Sequence, residues 1–221
     1  MIDLSLYDYA VFDCDGVILD SNRLKTEAFA RALEGDSEKY IDKMIAYHKA
    51  NGGVSRYKKF RYYFQEINPH EDVEKNAKKA ISRFAEIVYE GLMKCDYITG
   101  AVDFIKQVKE KGLQLFVVSG SDQEELREVF SKRGIASLFI AIYGSPFTKI
   151  ENMNKVIAKV DAQKRGIFFG DSRSDLEAAE KFGLDFVFVK GVSEWREGDR
   201  LTRIKGFLSI KDFQEEVWRE F

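Results

Sequence analysis

Five short runs of consecutive apolar residues recur along the chain, and stretches with a helical spacing of apolar positions separate most of them. The runs lie at residues 10–12, 115–118, 139–143, 167–169 and 186–189. Strands that are buried on both faces of a sheet have such continuous runs, whereas strands with one solvated face alternate. The alternation of strands with helices therefore predicts an α/β fold, a doubly wound parallel sheet of Rossmann-like topology.

Helices are predicted by the apolar spacing between these runs. We expect them over residues 101–111, from residue 121, over 152–160, over 174–182 and from residue 209. At three of the starts a serine precedes an acidic residue by three positions, which is the pattern of a capping box. These pairs are Ser121 with Glu124, Ser174 with Glu177, and Ser209 with Asp212.

The alternation of strands and helices stops between residues 21 and 95. This stretch contains no clear strand, and apolar residues such as Phe84, Val88 and Leu92 recur three or four positions apart. We predict a helical domain over residues 21–95, inserted into a core domain that is formed by residues 1–20 and 96–221.

Charge and composition narrow the class of protein. The 221 residues are 45% apolar and carry a formal net charge of −2, which suits a globular protein and argues against general nucleic-acid binding. Two cysteines and two histidines are too few for a disulfide scaffold or a histidine-rich zinc site. No run approaches the ~18 apolar residues that span a bilayer, and the first residues lack the pattern of a secretory signal. We expect a cytoplasmic protein with no membrane partner.

Polar residues suited to chemistry follow four of the predicted strands. The carboxyl ends of parallel strands form one edge of a sheet, where ligands bind. The residues in question are Asp13, Asp15, Ser119, Gly120, Lys149, Asp171 and Asp175. Each alone has an ordinary explanation, such as a turn, a helix cap or a surface lysine. Together they indicate a phosphoryl site, because clustered acids need a cation, oxygen ligands favour Mg²⁺, and a hydroxyl with a lysine suits a phosphate.

These residues lie in four motifs: VFDCDGVILDS, VVSGS, the loop that contains Lys149, and GDSRSDLEAA. With the motifs in this order, the chain resembles the haloacid dehalogenase-like (HAD) hydrolase superfamily, in its branch of C1-capped phosphatases and β-phosphoglucomutase-like enzymes. The resemblance implies that the helical stretch is a C1-type cap. It also implies Mg²⁺ as the cofactor and a small phosphorylated metabolite as the substrate.

The resemblance assigns catalytic and phosphate-binding roles to five of the residues. Asp13 matches the nucleophile, which takes the phosphoryl group as an aspartyl-phosphate, and Asp15 matches the general acid and base. Ser119 and the backbone of Gly120 match the phosphate-binding groups. Lys149 matches the lysine that neutralises the nucleophile and the phosphate.

The metal ligands that the resemblance implies are Asp13, the backbone carbonyl of Asp15, Asp171, and Asp175 through water. The two aspartates of the first motif need opposite protonation states, with Asp13 ionised and Asp15 able to hold a proton. We expect Mg²⁺ on Asp13 and the coupling of like charges to separate their pKa values.

Two basic residues of the predicted cap are candidates for substrate binding. The stretch from His48 to Lys59 is a candidate specificity loop for a second anionic or hydroxyl-rich part of a substrate. Within it, Arg56 follows Gly52-Gly53 and begins a helix that Ser55 caps. A basic surface helix after a turn is the alternative. Lys25 stands where many relatives with this cap carry a histidine. It is a candidate for contact with Asp13 or a substrate anion, and a solvated lysine is the alternative.

The predicted function is a Mg²⁺-dependent phosphatase that acts on a sugar phosphate or a phosphorylated acid. Asp15 favours phosphoryl transfer, because the dehalogenase branch of the superfamily lacks an acid at this position. Three alternatives stay open: a β-phosphoglucomutase-like sugar phosphomutase, an enzyme that forms a Schiff base through a cap lysine, and a catalytically silent binding protein on the same fold.

Overall fold

A six-stranded parallel sheet forms the centre of the fold in the computed structural model, which describes residues 2–161, 163–215 and 218–219. Its strands lie in the order β4-β3-β2-β5-β6-β7. They are β2 (Tyr9–Phe12), β3 (Gln114–Asp122), β4 (Ala141–Ser145), β5 (Gly166–Gly170), β6 (Asp185–Val189) and β7 (Leu208–Ile210). A separate parallel pair joins β1 (Ile2–Asp3) to β8 (Trp218–Arg219).

The strand order reverses at β2, since the chain builds the sheet first toward β4 and then from β5 toward β7. This reversal is the topological switch point of a doubly wound sheet, and it confirms the predicted fold class. Phe12 at the end of β2 is in register with Val117 of β3 and Phe169 of β5. The residues that follow these three strands therefore leave the sheet side by side.

Helices follow the strands along the chain, as in other doubly wound folds. They are α5 (Ala101–Glu110), α6 (Gln123–Lys132), α7 (Lys149–Ile157), α8 (Arg173–Lys181) and α9 (Gly198–Ile204). The strands between them are buried on both faces: Ala10 and Phe12 belong to one apolar cluster, while Tyr9 and Val11 belong to another. Phe12 stacks on Phe169, with ring centroids 4.7 Å apart.

Residues 21–95 contain four α-helices, and we call them the helical segment. The helices are α1 (Asn22–Ala32), α2 (Glu38–Ala50), α3 (Arg56–Tyr62) and α4 (Val73–Lys94), with a π-helical turn at Tyr63–Ile67. One apolar stripe of α4 is buried, and Phe84 in that stripe lies 4.4 Å from Phe29 of α1 between ring centroids. The division of the chain into two domains stays a prediction.

Three predicted helix starts are misplaced, and one predicted helix is wrong. The helix expected over 152–160 begins three residues earlier, at Lys149. Residue 121 still belongs to β3, and Asp122 rather than Ser121 caps α6 by accepting the backbone N–H of Glu125. Ser172, with Asp175, forms the capping box of α8 two residues before the predicted Ser174. Ser209 lies within β7, which pairs with β6.

The sheet edge explains the error at Ser209. A three-residue strand gains backbone hydrogen bonds and burial of Ile210 by pairing with β6, and these tertiary contacts override the local helical signal. The side chain of Asp212 instead accepts the backbone N–H of Gln214, a turn within two residues. In the part of the chain that the structure describes, no helix is both long and apolar enough to cross a membrane.

Candidate active site

The switch point of the sheet brings the residues of the four motifs together. Asp13 follows β2, Asp171 follows β5, and Ser119 with Gly120 lies near the end of β3. Lys149 and Asp175 come from the first turns of α7 and α8. Asp13, Ser119, Lys149, Asp171 and Asp175 are all buried. This geometry matches the expectation that the strand ends share one site.

Lys149 lies between two carboxylates of this cluster. Its Nζ donates a hydrogen bond to Asp13 Oδ2 at 2.9 Å and a second one to Asp175 Oδ1. Burial on its own lowers the pKa of a lysine, but the charges of Asp13 and Asp175 raise the pKa of Lys149 above its usual range. Lys149 is therefore a fixed positive charge beside Asp13.

Three buried carboxylates, those of Asp13, Asp171 and Asp175, offer oxygen atoms that all lie within 4.8 Å of one another. Burial, followed by the charge of Asp175, raises the pKa of Asp13 to about 6. Burial and the charge of Asp13 raise the pKa of Asp171 well above its usual range. Repulsion among buried acids is relieved by a cation, and a set of oxygen donors suits Mg²⁺. The residues present therefore fit a bound Mg²⁺.

Asn22 supports this acidic cluster, and the sequence reasoning did not identify it. Its Nδ2 donates to Asp171 Oδ2 at 2.6 Å and to the carbonyl oxygen of Val192 at 3.1 Å. Gly16, at a φ of 76°, leaves room for this contact, since a Cβ there would lie 2.3 Å from both Asn22 Nδ2 and Asp171 Oδ2. Asn22 is the first residue of α1, and the residues around it in the sequence gave no sign that it has a role in the site.

Asp15 lies apart from the three clustered carboxylates and has its own cation. Lys25 Nζ donates to Asp15 Oδ2 at 2.5 Å, and the hydroxyls of Ser21 and Ser121 donate to the same carboxylate at 2.5 Å and 2.6 Å. Lys25 also donates to Ser121. Although burial raises the pKa of a carboxyl group, Lys25 and the hydroxyls lower the pKa of Asp15.

The protein groups by themselves do not produce the expected order of the two pKa values, which depends on Mg²⁺ at Asp13. They favour the ionised form of Asp15 and disfavour that of Asp13. The physical reason is the position of Lys25, which neutralises Asp15 instead of contacting Asp13. Reversing this order requires additional positive charge next to Asp13.

The Gly52-Gly53 loop contacts the end of β3. A Cβ on Gly120 would lie 2.1 Å from the carbonyl oxygen of Gly53, so the two backbones touch directly. Gly53 has a φ of 74°, and a Cβ there would lie 2.1 Å from Ser174 Oγ. The loop of the helical segment therefore lies directly on the predicted phosphate-binding residues.

Arg56 is buried and bound to the core instead of exposed on a surface helix. It donates to Glu125 Oε2 at 3.0 Å, while its Nε has no hydrogen-bond partner among the described residues. Ser55 caps α3 as predicted, by accepting from the backbone N–H of Lys58. Tyr57 adds a second contact to the core, donating from its hydroxyl to Asp122 at 2.6 Å.

One cavity joins the sheet edge to the helical segment. Asp13, Asp15, Ser119 and Asp171 line it from the core. The helical segment contributes residues that the sequence had singled out, together with others that it had not. Among them are Lys25, Phe29, His48, Lys49, Gly52, Gly53, Arg56, Lys59 and Phe84. His48 and Lys59 are the two ends of the predicted specificity loop, in which only Arg56 was named as a binding residue, although Lys59 follows Arg56 at the i+3 spacing that places two residues on one helix face.

Comparison with known proteins gives one family. The family model described as haloacid dehalogenase-like hydrolase matches residues 10–189. The chain belongs to this family. It is 24% identical over 190 residues to a phosphorylated carbohydrates phosphatase of Thermotoga maritima, across 80% of this chain and 82% of that protein. It is 27% identical over 108 residues to a phosphoglycolate phosphatase of Synechococcus elongatus, across 48% of this chain and 49% of that protein.

A solved structure agrees with this membership at the level of the fold. The crystal structure of a mutant of CbbY from Rhodobacter sphaeroides, in complex with xylulose-1,5-bisphosphate, matches with a TM-score of 0.71 at 16% identity. The match covers 96% of this chain and 97% of that one. The family and its relatives confirm the predicted resemblance, and with it the prediction of a hydrolase from the phosphatase branch.

Proposed function

We propose that this protein is a Mg²⁺-dependent phosphatase that hydrolyses a small phosphate monoester through an aspartyl-phosphate at Asp13. The observation that carries the proposal is the buried carboxylate of Asp13, which lies 2.9 Å from the Lys149 ammonium within a cluster of acids. A dianionic phosphate approaching a carboxylate is repelled unless positive charge lies beside both. Lys149 supplies one such charge.

In the proposed reaction, the negative charge of the bound phosphate raises the pKa of Asp15, which lets this carboxyl group hold a proton despite the charge of Lys25. Asp13 attacks phosphorus and the bond from phosphorus to the leaving oxygen breaks, while Asp15 donates this proton to that oxygen. Water then attacks phosphorus and gives its proton to Asp15, the bond from phosphorus to Asp13 breaks, and inorganic phosphate leaves. Splitting the displacement into two steps lowers each barrier. Ser119 and the backbone of Gly120 orient the phosphoryl group.

The residues that would hold the metal are Asp13, Asp171 and Asp175, with the backbone carbonyl of Asp15. When bound, Mg²⁺ supplies positive charge that stabilises the charge developing on the phosphoryl oxygens. It also favours the ionised form of Asp13, which the buried acids beside it disfavour. Asn22 orients Asp171 within this ligand set through its hydrogen bond of 2.6 Å.

We propose that the helical segment acts as a cap, with Arg56 and Lys25 on its side of the cavity. Support comes from the contact of Gly53 with Gly120 and from the position of Arg56 on the cavity wall, where its buried Nε has no hydrogen-bond partner among the described residues. The named relatives act on phosphorylated carbohydrates and phosphoglycolate, which points to a small phosphorylated metabolite as the substrate. No observation favours the mutase or the silent binding protein.

The test is phosphate release from a panel of phosphate monoesters, with Mg²⁺ and with EDTA, for the wild type and the Asp13→Asn variant. We expect release that depends on Mg²⁺ and falls at least ~10³-fold in the variant. Asp42→Asn, which changes an exposed aspartate of α2 in the same way, serves as the matched control. Metal-independent release, or full activity in Asp13→Asn, contradicts the proposal. A rearranged sugar phosphate instead of free phosphate favours the mutase.

A further inference from the structure

Lys59 is a buried lysine on the wall of the cavity that the helical segment forms. It lies on α3, only 2% of its surface is exposed, and it lines the same cavity as Asp13 and Ser119. Lysines normally extend their ammonium group to water along the surface, and a fully buried one is rare unless it is paired. A buried ammonium at this position therefore calls for an explanation.

No carboxylate neutralises Lys59 among the described residues. Its Nζ donates to His48 Nδ1 at 2.7 Å, approaches the carbonyl oxygen of His48 at 3.4 Å, and lies 5.5 Å from the centre of the Phe29 ring. Burial and the charge of Lys59 lower the pKa of His48 well below its usual range, so the imidazole is neutral and accepts through Nδ1. Among the described residues, Lys59 therefore has hydrogen-bond acceptors but no carboxylate within ion-pair distance, and the charges of Asp15 and Glu194 act on it only from farther away.

The other basic residues of the cavity wall have carboxylate partners. Lys25 pairs with Asp15 at 2.5 Å, Arg56 with Glu125 at 3.0 Å, and Lys49 with Glu194 at 3.2 Å. Arg173, also at the cavity, lies 3.4 Å from Glu197. Lys59 differs from all of them.

A buried charge without a counter-charge destabilises the fold, and proteins keep such groups mainly at functional sites. Burial, together with the neighbouring charge of Lys25, lowers the pKa of Lys59 to about 7, although the charges of Asp15 and Glu194 partly oppose this shift. An anion beside its Nζ would offset this unfavourable charge. Phe29 and Phe84, which also line the cavity, limit competition from water at that point.

We propose that Lys59, held by His48, binds a second anionic group of the substrate, a carboxylate or a second phosphate, while the transferred phosphoryl group lies at Asp13. This inference rests on the proposed phosphatase function and narrows its substrate class. The preferred substrates are small phosphate monoesters with two anionic ends. Neutral sugar or alcohol monophosphates of the same size are poorer substrates.

Matched ligands test the proposal directly. 2-Phosphoglycolate and its neutral amide differ only in the second anionic group, and propane-1,3-diol bisphosphate and monophosphate form the corresponding phosphate pair. We expect wild-type kcat/KM to favour the doubly anionic member of one pair by ~10- to 100-fold, the range for a hydrogen bond to a charged group. The pair with the larger preference identifies carboxylate or phosphate as the second group. In Lys59→Met and Lys59→Gln, the ratio of kcat/KM values within that pair should fall toward one.

Lys58→Met is the matched control, because it removes an exposed lysine from the adjacent position of the same helix. Its preference should equal that of the wild type. If Lys58→Met and Lys59→Met lose the preference for the doubly anionic substrate equally, the proposal is overturned. The preference would then depend on the overall positive charge of the helix and not on Lys59. A wild type without preference, or a Lys59→Met variant that keeps it, would also overturn the proposal.

A binding measurement separates this inference from the proposed function. Calorimetry with 3-phosphonopropionate and its amide, in the presence of Mg²⁺, needs no turnover. If the wild type hydrolyses no monoester but binds the acid ~10- to 100-fold more tightly than the amide, the phosphatase proposal fails and the role of Lys59 stands. Equal Kd values for the acid and the amide overturn that role. Covalent trapping of a phosphorylated aldehyde on Lys59 by borohydride also overturns it, in favour of Schiff-base chemistry.

Discussion

The two walls of the cavity differ in how they treat charge. At the sheet edge, the buried cation Lys149 touches two carboxylates, and Asp15 has Lys25 and two hydroxyls. On the wall formed by the helical segment, Lys59 is also buried, and its hydrogen-bond partners among the described residues are a neutral imidazole and a carbonyl oxygen. The buried lysines at the sheet edge therefore have carboxylate partners, whereas Lys59 has none within ion-pair distance.

This contrast separates two uses of buried charge. Paired ions hold side chains in one geometry, and removing one partner is costly because the other remains buried. An unpaired ion destabilises the empty site and gains its partner with the ligand. Removing a paired lysine should therefore destabilise the protein, whereas removing Lys59 should stabilise it.

Lys149→Met removes the cation that two buried carboxylates share. We expect the free energy of unfolding to fall by about 3–5 kcal/mol in EDTA, since Asp13 and Asp175 lose their counter-charge. Phosphatase turnover should fall by ~10²- to 10³-fold. Urea unfolding and phosphate release measure the two effects. Lys159→Met, at an exposed position shortly after α7, is the control, and unchanged stability in Lys149→Met would refute the pairing.

Lys25→Met leaves Asp15 with its hydroxyl partners alone. We expect a loss of ~2–3 kcal/mol of unfolding free energy at pH 7. Lys25 lowers the pKa of Asp15 in the folded state. The stability from the pair is therefore present above the unfolded pKa of an aspartate, about 3.9, and is lost as the pH falls through the folded value.

The difference in unfolding free energy between Lys25→Met and the wild type should accordingly become smaller as the pH falls. Urea unfolding at several pH values between 3 and 7 measures it, with Lys39→Met, an exposed position on α2, as the control. A difference that grows as the pH falls would contradict the assignment of Lys25 to Asp15.

Lys59→Met should act in the opposite direction and stabilise the protein. The pKa of Lys59 is about 7 in the folded state against 10.5 for the free side chain. The unfolded chain therefore binds more protons between these values, and the stability of the wild type rises with pH across that window. We expect the unfolding free energy of Lys59→Met to exceed that of the wild type by ~1–2 kcal/mol at pH 7, and this difference to decline toward pH 10. Thermal unfolding at both pH values measures it, and a destabilised variant would indicate a structural lysine.

Tyr57→Phe should have the smallest effect. It removes the hydroxyl that donates to Asp122 at 2.6 Å, one of the contacts between the helical segment and the core. We expect the free energy of unfolding to fall by ~0.5–1.5 kcal/mol. Backbone hydrogen exchange in residues 51–54 should become faster, because the helical segment opens more often. Tyr40→Phe is the control, since this hydroxyl makes no hydrogen bond to a described residue. Unchanged exchange would show that other contacts hold the segment.

The sheet and the acids at its edge could be predicted because both depend on short-range patterns. Parallel strands place their carboxyl ends together, so motifs far apart in sequence share one site once the strands are recognised. The short edge strand at Ser209 was missed because pairing with β6 decides its structure.

Contacts of the helical segment could not be predicted, because they depend on how its helices pack. Lys25 was a candidate for Asp13, yet the position of α1 directs it to Asp15. The pairing of Lys59 with His48 joins α3 to α2 across the Gly52-Gly53 loop. No local spacing in the sequence encodes that distance.

The contact between Gly53 and Gly120 has a consequence for substitutions at these positions. It is made by main-chain atoms, which leaves no room for a side chain on Gly120. A larger residue at either position would act as a wedge, because a Cβ on Gly120 would lie 2.1 Å from the carbonyl oxygen of Gly53. We therefore expect bulk at Gly120 to push the Gly52-Gly53 loop away from the end of β3 and to admit water to the proposed site.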